Sequence, residues 1–397
     1  MPPEPRPAAL ASLVPALTFL SVVRLVTNTG YRFLYPFLPV VARGLGVSLE
    51  RAGLLISGLS LAGLTTPAVA ALNARRGERH RRLATVGLLA FATGAALAAA
   101  TTVYVAVLAG FVLLGAAKPV YDVAAHSYLA ERTPYARRAR ILAVIELTWA
   151  GALLIGAPAA GWLIHRAGWR APLWVFGALG ALALVAVPWA LDPDRPGTDP
   201  GTRTALILDR SSVALLVVTT LFSYGAEVTF VVFGAWLERD FGVSVIGLGV
   251  FSTLIGVAEL LGSSGVVAFG DRIGKRPSVT WGLLLAIVGF SALAFTDDLA
   301  PGLAALALAL FGFEFTIVSA IPLASEAHPQ ARSRYLALMV AAISLPRAVA
   351  AATGPALFTR VGLAGNAAVA VGANLAALVV LRRFVADRPS DHGGGGT

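Results

Sequence analysis

Two stretches, LAERTPYARRARILA (residues 129–143) and LASEAHPQARSRYLA (residues 323–337), repeat one pattern in the two halves of the chain. Each has a glutamate three residues before a proline, then Ala-Arg, and then Arg-x-Leu-Ala with one residue of slippage. A second pair, RRGERHRR (75–82) and DRIGKR (271–276), lies at corresponding places in the two halves. Parallel repeats of this length predict two halves of equivalent structure.

The composition is that of a membrane protein. The chain has 397 residues, of which 57% are hydrophobic and only 13% charged, against about 25% charged in soluble proteins. Its mean hydropathy is +0.78. Repeated apolar runs of about 20 residues have the length that a helix needs to cross the hydrocarbon core, and they lack the alternation of barrel strands. We therefore predict an all-α membrane protein with twelve transmembrane helices. These helices, called spans 1 to 12, cover residues 12–40, 50–73, 82–101, 103–130, 139–165, 171–191, 212–237, 245–270, 277–296, 300–324, 334–360 and 362–382.

Basic residues are distributed unevenly between the two sides of the predicted membrane. The termini and the loops on their side hold 21 of the 31 Lys and Arg residues, whereas the opposite loops hold 6. Short cytoplasmic loops carry such an excess. We therefore predict a multi-pass protein of the cell (inner or cytoplasmic) membrane with both termini in the cytoplasm. The net charge of +10 then needs no nucleic-acid partner.

The longest polar connection is DPDRPGTDPGTRTALILDRSS, residues 192–212, whose Pro and Gly content is typical of a linker. It predicts an N-terminal six-helix bundle over residues 1–191 and a C-terminal six-helix bundle over residues 213–384. The last residues, 385–397, include HGGGGT and are predicted to form a disordered cytoplasmic tail.

Together these features resemble the major facilitator superfamily over nearly the whole chain. The loop GDRIGKR is similar to the superfamily's Gly-x-x-x-Asp-Arg-x-Gly-Arg/Lys signature. The resemblance implies two pseudo-symmetric six-helix bundles, a central cavity lined by spans 1, 4, 7 and 10, and a gating role for this loop. The gating residues would be Gly270, Asp271, Arg272, Gly274, Lys275 and Arg276. The first-half copy departs from the signature, with Asn73 and Ala74 in place of its Gly and Asp.

Span 5 contains GALLIGAPAAG, residues 151–161, which is similar to the Gly-Pro motif of antiporters in the superfamily. Gly156, Pro158 and Gly161 carry this similarity, which favours the bacterial drug or metabolite:proton antiporter (efflux) branch. Close helix packing through small residues explains the same motif equally well.

Nine charged residues fall inside the predicted spans. An ionised side chain at the bilayer centre costs roughly 2.5–3.5 kcal/mol on insertion scales, so these residues should face a wet cavity or one another. Six of them lie on spans 1, 4, 7 and 10. The nine are Arg24, Arg32, Lys118, Asp122, Glu146, Glu227, Glu259, Glu314 and Arg347.

Lys118, Asp122 and Glu146 are predicted to form a proton-coupling cluster between spans 4 and 5. Lys118 and Asp122 are one helical turn apart, and Glu146 enters span 5 to a similar depth. One carboxylate would stay ionised against Lys118, while the other, beside a like charge, would take up and release a proton. A purely structural ion-pair network is the alternative. His126, one turn nearer the cytoplasm, is interpreted as a wetted histidine without a special role.

Glu227 and Glu314 are candidate substrate-binding residues in the second half, together with their neighbours Tyr224 and Phe313. A carboxylate among aromatic rings can hold an amphipathic cation by charge and cation–π contact. Either carboxylate could instead pair with a cation of the protein.

Arg24 and Arg347, near the middle of spans 1 and 11, are the cationic candidates for substrate contact. Glu259 is expected to pair with Arg347. Arg32 is expected to be solvated or to reach the membrane interface along its aliphatic stem.

The sequence predicts a secondary active transporter and not an enzyme. It has no cysteine, no phosphate loop of the Gly-x-x-x-x-Gly-Lys-Ser/Thr kind and no His-x-x-x-His pair, and we expect no cofactor and no metal. We predict a monomer that exports a small amphipathic molecule in exchange for protons by alternating access. Its expected partners are that substrate, protons and the lipid bilayer. The alternatives are proton-coupled uptake of a polar or anionic metabolite, with Arg24, Lys118 and Arg347 as ligands, and a membrane sensor or scaffold without transport.

Overall fold

The computed structural model describes residues 10–66, 68–69, 79–194, 206–328 and 331–385. The helices of the first half are α1 (Leu10–Arg32), α2 (Leu34–Leu45), α3 (Leu49–Ala62), α4 (His80–Ala100), α5 (Tyr104–Arg132), α6 (Tyr135–Gly151), α7 (Ala157–Ala167) and α8 (Ala171–Ala190). Those of the second half are α9 (Arg210–Phe230), α10 (Phe233–Phe241), α11 (Val245–Ile273), α12 (Lys275–Ala294), α13 (Leu299–Ala327) and α14 (Arg332–Phe384). The predicted tail, the middle of the linker and most of the first-half loop RRGERHRR lie outside these residues.

The described chain is all-α and matches the predicted spans. Ten of its helical stretches are long and apolar enough to cross a membrane. The helix α3, continued by a 3-10 turn at Gly63–Thr65, forms the start of span 2. The long helix α14 contains spans 11 and 12, which are separated at Gly362 by a non-helical φ of 73°. Glycine adopts this conformation without a steric penalty.

The first helix of each half is interrupted near its middle. In span 1, α1 ends at Arg32 and α2 begins at Leu34. Pro36 has no N–H to donate to the carbonyl of Arg32, so the interruption lies one turn before the proline. In span 7, α9 ends at Phe230 and α10 begins at Phe233.

Span 5 contains a π-helical segment, Ala152–Gly156, between α6 and α7. Pro158 follows it and cannot donate a backbone hydrogen bond to the preceding turn. A Cβ at Gly156 would overlap the side chain of Thr29 in span 1, and a Cβ at Gly161 would lie 3.0 Å from the carbonyl oxygen of Val245 in span 8. The Gly-Pro motif therefore brings span 5 close to spans 1 and 8.

The two halves contact each other through the ends of the spans that lie away from the termini. There α2 packs against α10, α3 against α14, and α7 against α11; we call these three contacts the outer interface. A Cβ at Gly234 would overlap the carbonyl oxygen of Pro36, and one at Gly53 would lie 2.5 Å from the carbonyl oxygen of Ala351. Because glycine has no side chain, Gly53 and Gly234 allow the backbones of the two halves to approach each other closely.

Polar contacts also join the halves at the outer interface. Arg43 donates two hydrogen bonds of 2.6 Å to the two carboxylate oxygens of Glu238, and these bonds raise the pKa of the Arg43 guanidinium. Thr359 Oγ1 donates to Glu50 Oε1 at 2.7 Å. The structure therefore has its halves closed at the end away from the termini.

Gly234→Val should weaken the outer interface, because the added side chain would overlap Pro36. Overpacking costs roughly 1–3 kcal/mol, which shifts the population toward an open outer interface by roughly tenfold. Spin labels on cysteines introduced at His165 and Asp297, exposed residues at this end of the two halves, measure the change as a longer label-to-label distance. The chain has no native cysteine, so labelling is specific.

Gly372→Val is the matched control, because no atom lies within 4 Å of a Cβ at that position. An unchanged distance distribution in Gly234→Val would contradict the assignment of this glycine to the contact between the halves.

Candidate functional site

Arg24 joins the two carboxylates that the sequence places on spans 4 and 5. Its Nε donates to Asp122 Oδ1 at 3.0 Å, and its Nη1 and Nη2 donate to Glu146 Oε2 at 3.2 and 3.1 Å. Nη1 also donates to the carbonyl oxygen of Ile145 at 2.7 Å. The guanidinium is buried and thus holds spans 1, 4 and 5 together at one point.

Lys118 and His126 complete this group on span 4. Lys118 Nζ donates to Asp122 Oδ2 and lies 5.3 Å from the ring centroid of Trp149, a distance at which a cation is attracted to an aromatic face. His126 Nε2 lies 2.6 Å from Glu146 Oε1. We call these five residues, Arg24, Lys118, Asp122, His126 and Glu146, the charge cluster.

The structure brings together the predicted residues of the cluster and adds Arg24. From the sequence, Arg24 is a candidate for substrate contact and Lys118 is the one cation beside Asp122 and Glu146. In the structure Arg24 bridges the two carboxylates and Lys118 binds Asp122, so the expectation of a single cation beside the two carboxylates was wrong. Helical spacing relates residues within one span, and it could not show which side chain of span 1 faces span 4.

The members of the charge cluster differ in their access to solvent. The side chains of Arg24, Lys118 and Asp122 are 5%, 12% and 22% exposed, whereas that of Glu146 is 55% exposed. Glu146 is therefore the most exposed of these four side chains, and a proton can reach it more easily than it can reach Asp122.

Arg32 is buried in a second ion pair that connects the two halves. Its Nη1 and Nη2 donate to Glu259 Oε2 and Oε1 at 2.6 and 2.5 Å, and both side chains are less than 10% exposed. The guanidinium also lies 4.4 Å from the ring centroid of Trp149. The expectation that Arg32 is solvated was wrong, and so was the pairing of Glu259 with Arg347. The interruption after Arg32 lies where this side chain crosses to span 8.

Glu227 forms a third group with residues from both halves. Arg347 Nε donates to Glu227 Oε2 at 2.8 Å, and the hydroxyl of Tyr35 donates to Glu227 Oε1 at 2.7 Å. Tyr35 in turn stacks on Phe230 with 4.5 Å between ring centroids. Glu227 was expected either to contact the substrate or to pair with a cation of the protein. In the structure it pairs with Arg347.

Glu314 has a different environment from Glu227. Its Oε1 accepts a hydrogen bond of 2.7 Å from Ser263 Oγ on span 8. Among the described contacts, the hydrogen-bond partner of Glu314 is therefore a neutral hydroxyl and not a cation. Phe313, beside it, meets Phe222 edge-to-face at 5.9 Å. Tyr224 lies on span 7, with its hydroxyl 3.2 Å from Thr353 Oγ1. A carboxylate with aromatic neighbours is thus present on the second half.

The predicted gating loop lies at the end of the bundle where the termini are. Lys275 Nζ donates to Glu326, and Arg276 Nη2 donates to the carbonyl oxygen of Arg382 at 3.0 Å. Gly274 has φ 89°, as the turn between α11 and α12 requires. Of the other predicted members, Gly270 and Arg272 lie in the last turn of α11, and the side chain of Asp271 is outside the described residues.

The first half has an equivalent contact in which histidine replaces lysine. His80 is the first residue of α4, as Lys275 is of α12, and His80 Nε2 lies 2.6 Å from Glu131 Oε2. Glu131 and Glu326 are the glutamates of the two repeated stretches. The repeat detected in the sequence is therefore also a repeat of contacts.

Repeated halves of membrane-spanning helices, with ionisable side chains gathered between them, define a membrane transporter of the two-bundle class. The chain belongs to the Major Facilitator Superfamily, whose family model matches residues 20–214 and again residues 215–396. It is a multi-pass secondary transporter and not an enzyme.

Relatives of known sequence extend over most of the chain. It is 27% identical over 363 residues to the inner membrane transport protein YdhP of Escherichia coli O157:H7, with 88% of this chain and 90% of the relative covered. It is 25% identical over 291 residues to a chloramphenicol resistance protein of Streptomyces lividans, with 71% and 73% covered.

Solved structures share the fold. A bacterial homologue of the human lysosomal transporter Spinster, in an inward-facing and unoccupied conformation, matches with a TM-score of 0.73 at 15% identity, over 95% of this chain and 98% of that chain. The human organic anion transporter MFSD10 (TETRAN) matches with a TM-score of 0.71 at 18% identity, over 95% and 100%.

The buried pair of Arg32 and Glu259 can be tested by a double-mutant cycle. Arg32→Gln and Glu259→Gln should each destabilise the protein by about 3–5 kcal/mol, because each leaves one buried charge without its partner. The double variant should lose much less than the sum of these two effects. Thermal or chemical unfolding in detergent measures these changes.

Arg43→Gln is the control for this cycle, because it breaks an ion pair whose arginine is 60% exposed and should cost about 1 kcal/mol or less. Strictly additive losses in the Arg32 and Glu259 cycle would show that the two charges do not stabilise each other.

Proposed function

We propose that this transporter exports a small amphipathic cation in exchange for protons. The observation that carries the proposal is the charge cluster, in which two carboxylates share Arg24 within the membrane while Glu146 remains more than half exposed. Ionisable residues at such depth mark ion and proton pathways in transport proteins. A structural network alone would have no need for a member that is more than half exposed.

Protons can be coupled to transport through Arg24, because this side chain joins Asp122 and Glu146 to span 1. Arg24 links span 1 to spans 4 and 5. About two and three turns further on, span 1 carries the contacts to the second half made by Arg32 and Tyr35. A change of charge in the cluster therefore acts on the helix that also holds the halves together.

We propose a cationic cargo because the carboxylate of Glu314 has no cationic partner among the described contacts. Glu227 is already occupied by Arg347 and Tyr35, whereas Glu314 is held by the neutral hydroxyl of Ser263. A carboxylate of this kind can exchange a weak neutral partner for a cation, and neighbouring aromatic side chains such as Phe313 add cation–π attraction. Phe313 and Tyr224 are the aromatic residues proposed for this contact.

Export is favoured by two resemblances. The Gly-Pro motif of span 5 is similar to that of antiporters in the superfamily. One relative is a chloramphenicol resistance protein, and export of a small molecule is one way in which a membrane transporter confers resistance. Uptake of an anion is less favoured, because Arg24, Lys118 and Arg347 all pair with carboxylates of the protein.

Transport can be tested in proteoliposomes with tetraphenylphosphonium as the probe, at a membrane potential clamped to zero. An acidic interior should drive accumulation of the probe, since protons that leave through an antiporter bring the cation in, and an acidic exterior should not. Accumulation only with an acidic exterior would indicate symport, and no gradient-dependent flux would overturn the proposal.

Asp122→Asn and Glu146→Gln test the role of the charge cluster in the same assay. Both variants should lose accumulation driven by the proton gradient and retain exchange of internal for external tetraphenylphosphonium. Asp240→Asn, in an ion pair of adjacent exposed residues, is the matched control and should behave as the unaltered protein. Full gradient-driven accumulation in both cluster variants would contradict a coupling role.

Glu314→Gln tests the proposed cation site. It should weaken binding of tetraphenylphosphonium to the purified protein by roughly tenfold, because the negative charge that attracts the cation is lost and only the cation–π contacts with the aromatic rings remain. Ser263→Ala removes the hydrogen bond to this carboxylate and keeps its charge, so it should change the affinity by much less. Equal effects of the two variants would show that the charge of Glu314 is not what the cation contacts.

A further inference from the structure

His126 makes two hydrogen bonds that together fix where its hydrogens are. Nδ1 lies 2.7 Å from the main-chain carbonyl oxygen of Asp122. A carbonyl oxygen has no hydrogen to give, so Nδ1 must be the donor and must carry a hydrogen. A neutral imidazole has one N–H, and in His126 that N–H is therefore used for the backbone.

The second bond of His126 then needs one further proton. Nε2 lies 2.6 Å from Glu146 Oε1. Without a proton between them, a nitrogen lone pair would face a carboxylate lone pair at hydrogen-bond distance, which is repulsive. The contact is satisfied either by an imidazolium donating to a carboxylate or by a carboxylic acid donating to an imidazole. Both arrangements hold the same single proton.

Asp122 is less suited than Glu146 to hold that proton. Its Oδ1 accepts from the Arg24 guanidinium and its Oδ2 accepts from the Lys118 ammonium, so each oxygen already faces a positive charge, and a further proton is disfavoured there. Glu146 differs, because Arg24 occupies only its Oε2 and Oε1 faces only His126 among the described contacts. Asp122 and Glu146, which the sequence does not tell apart, therefore differ in the structure, because one oxygen of Glu146 is free of arginine and lysine partners among the described contacts.

We propose that His126 and Glu146 form the proton-carrying site of this transporter and that Asp122 is a fixed counter-ion. This inference rests on the proposed exchange of protons for a cation and names the atoms that hold the proton, His126 Nε2 and Glu146 Oε1. When the pair releases the proton to the solvent at Glu146, His126 remains a neutral Nδ1–H imidazole and Glu146 an ionised partner of Arg24.

The charges that surround the pair explain why proton and cargo oppose each other's binding. Arg24 from span 1 and Lys118 from span 4 contribute two positive charges, and Asp122 contributes one negative charge. With its proton the His126–Glu146 pair is neutral, so the charge cluster carries one net positive charge. Without the proton the cluster is neutral. The loaded cluster therefore binds a cationic cargo more weakly, and the affinity rises after the proton has left.

Second-half charges face the pair as well. Glu259 belongs to α11, which packs on α6, and is neutralised by Arg32. Glu314 interacts electrostatically with Glu146. Loss of the proton thus makes the surroundings of Glu314, the proposed cation site, more negative. The link between the two sites is electrostatic and needs no contact between them.

Nitrogen NMR of histidine-labelled protein in nanodiscs tests the proton site without any substrate. The signals of His126 are assigned by their loss in His126→Gln. Nδ1 should keep its hydrogen, and the Nε2 signal should shift in one step when the pair loses the shared proton, whether that proton lies nearer Nε2 or nearer Glu146. A hydrogen on Nε2 with none on Nδ1, or an Nε2 signal that is the same at every pH, would overturn the proposal.

Proton release on cargo binding tests the exchange. Tetraphenylphosphonium has no titratable group, so any proton released when it binds to the lightly buffered protein comes from the protein. We expect about one proton per bound cation, and an affinity that rises by up to about tenfold per pH unit while the site is protonated. His126→Gln and Glu146→Gln should abolish the release. His328→Gln, which removes a histidine bonded to Ser212 in the second half, should not.

The outcomes separate this inference from the proposed function. Absence of tetraphenylphosphonium binding and transport would overturn cation export, while the NMR titration would still decide where the proton lies. Gradient-driven transport with unchanged proton release in His126→Gln would instead keep the proposed function and overturn the role of His126.

Discussion

Placing charge within the hydrocarbon layer is costly, and this cost governs how the helices are joined. Eight of the nine charged residues inside the spans find an opposite charge, in three groups at different places, and the ninth, Glu314, accepts a hydrogen bond from Ser263. The charge cluster lies within the first half, the pair of Arg32 and Glu259 crosses between the halves, and Glu227 binds both its own half, through Arg347, and the other, through Tyr35. Span 1 contributes to all three groups, and its interruption at Phe33 lies between the two side chains that reach the second half.

The small residues and the ion pairs have complementary effects on the contact between the halves. Gly53 and Gly234 allow backbone atoms to meet at the outer interface, which favours the closed state by close packing. Arg32 and Glu259 have a definite geometry, because two parallel hydrogen bonds join a planar guanidinium to a planar carboxylate. Packing thus determines how near the halves come, and the buried pair determines how they are aligned.

Hydropathy and the internal repeat were sufficient to predict the all-α fold and the positions of its spans, because both are properties of the sequence read in order. The spacing of Lys118, Asp122 and His126 likewise predicted neighbours along one helix. The partners of Arg24 and Arg32 were missed for a physical reason. Contacts between helices depend on rotation and depth, and a difference of one residue turns a side chain by about 100°. The depth assigned to Arg32 suggested an interface, whereas the break after it turns the guanidinium toward span 8.

The replacement of lysine by histidine at the end of the first half has a consequence for symmetry. Lys275 and His80 occupy equivalent positions, each beside the glutamate of its repeat, but an ammonium on a flexible stem can follow its partner, whereas an imidazole has two ring nitrogens in fixed directions. The two bundles are therefore duplicates in shape and unequal in chemistry. A small shift of the glutamate would leave the contact of the second half intact and break that of the first, so the same displacement has different effects in the two halves.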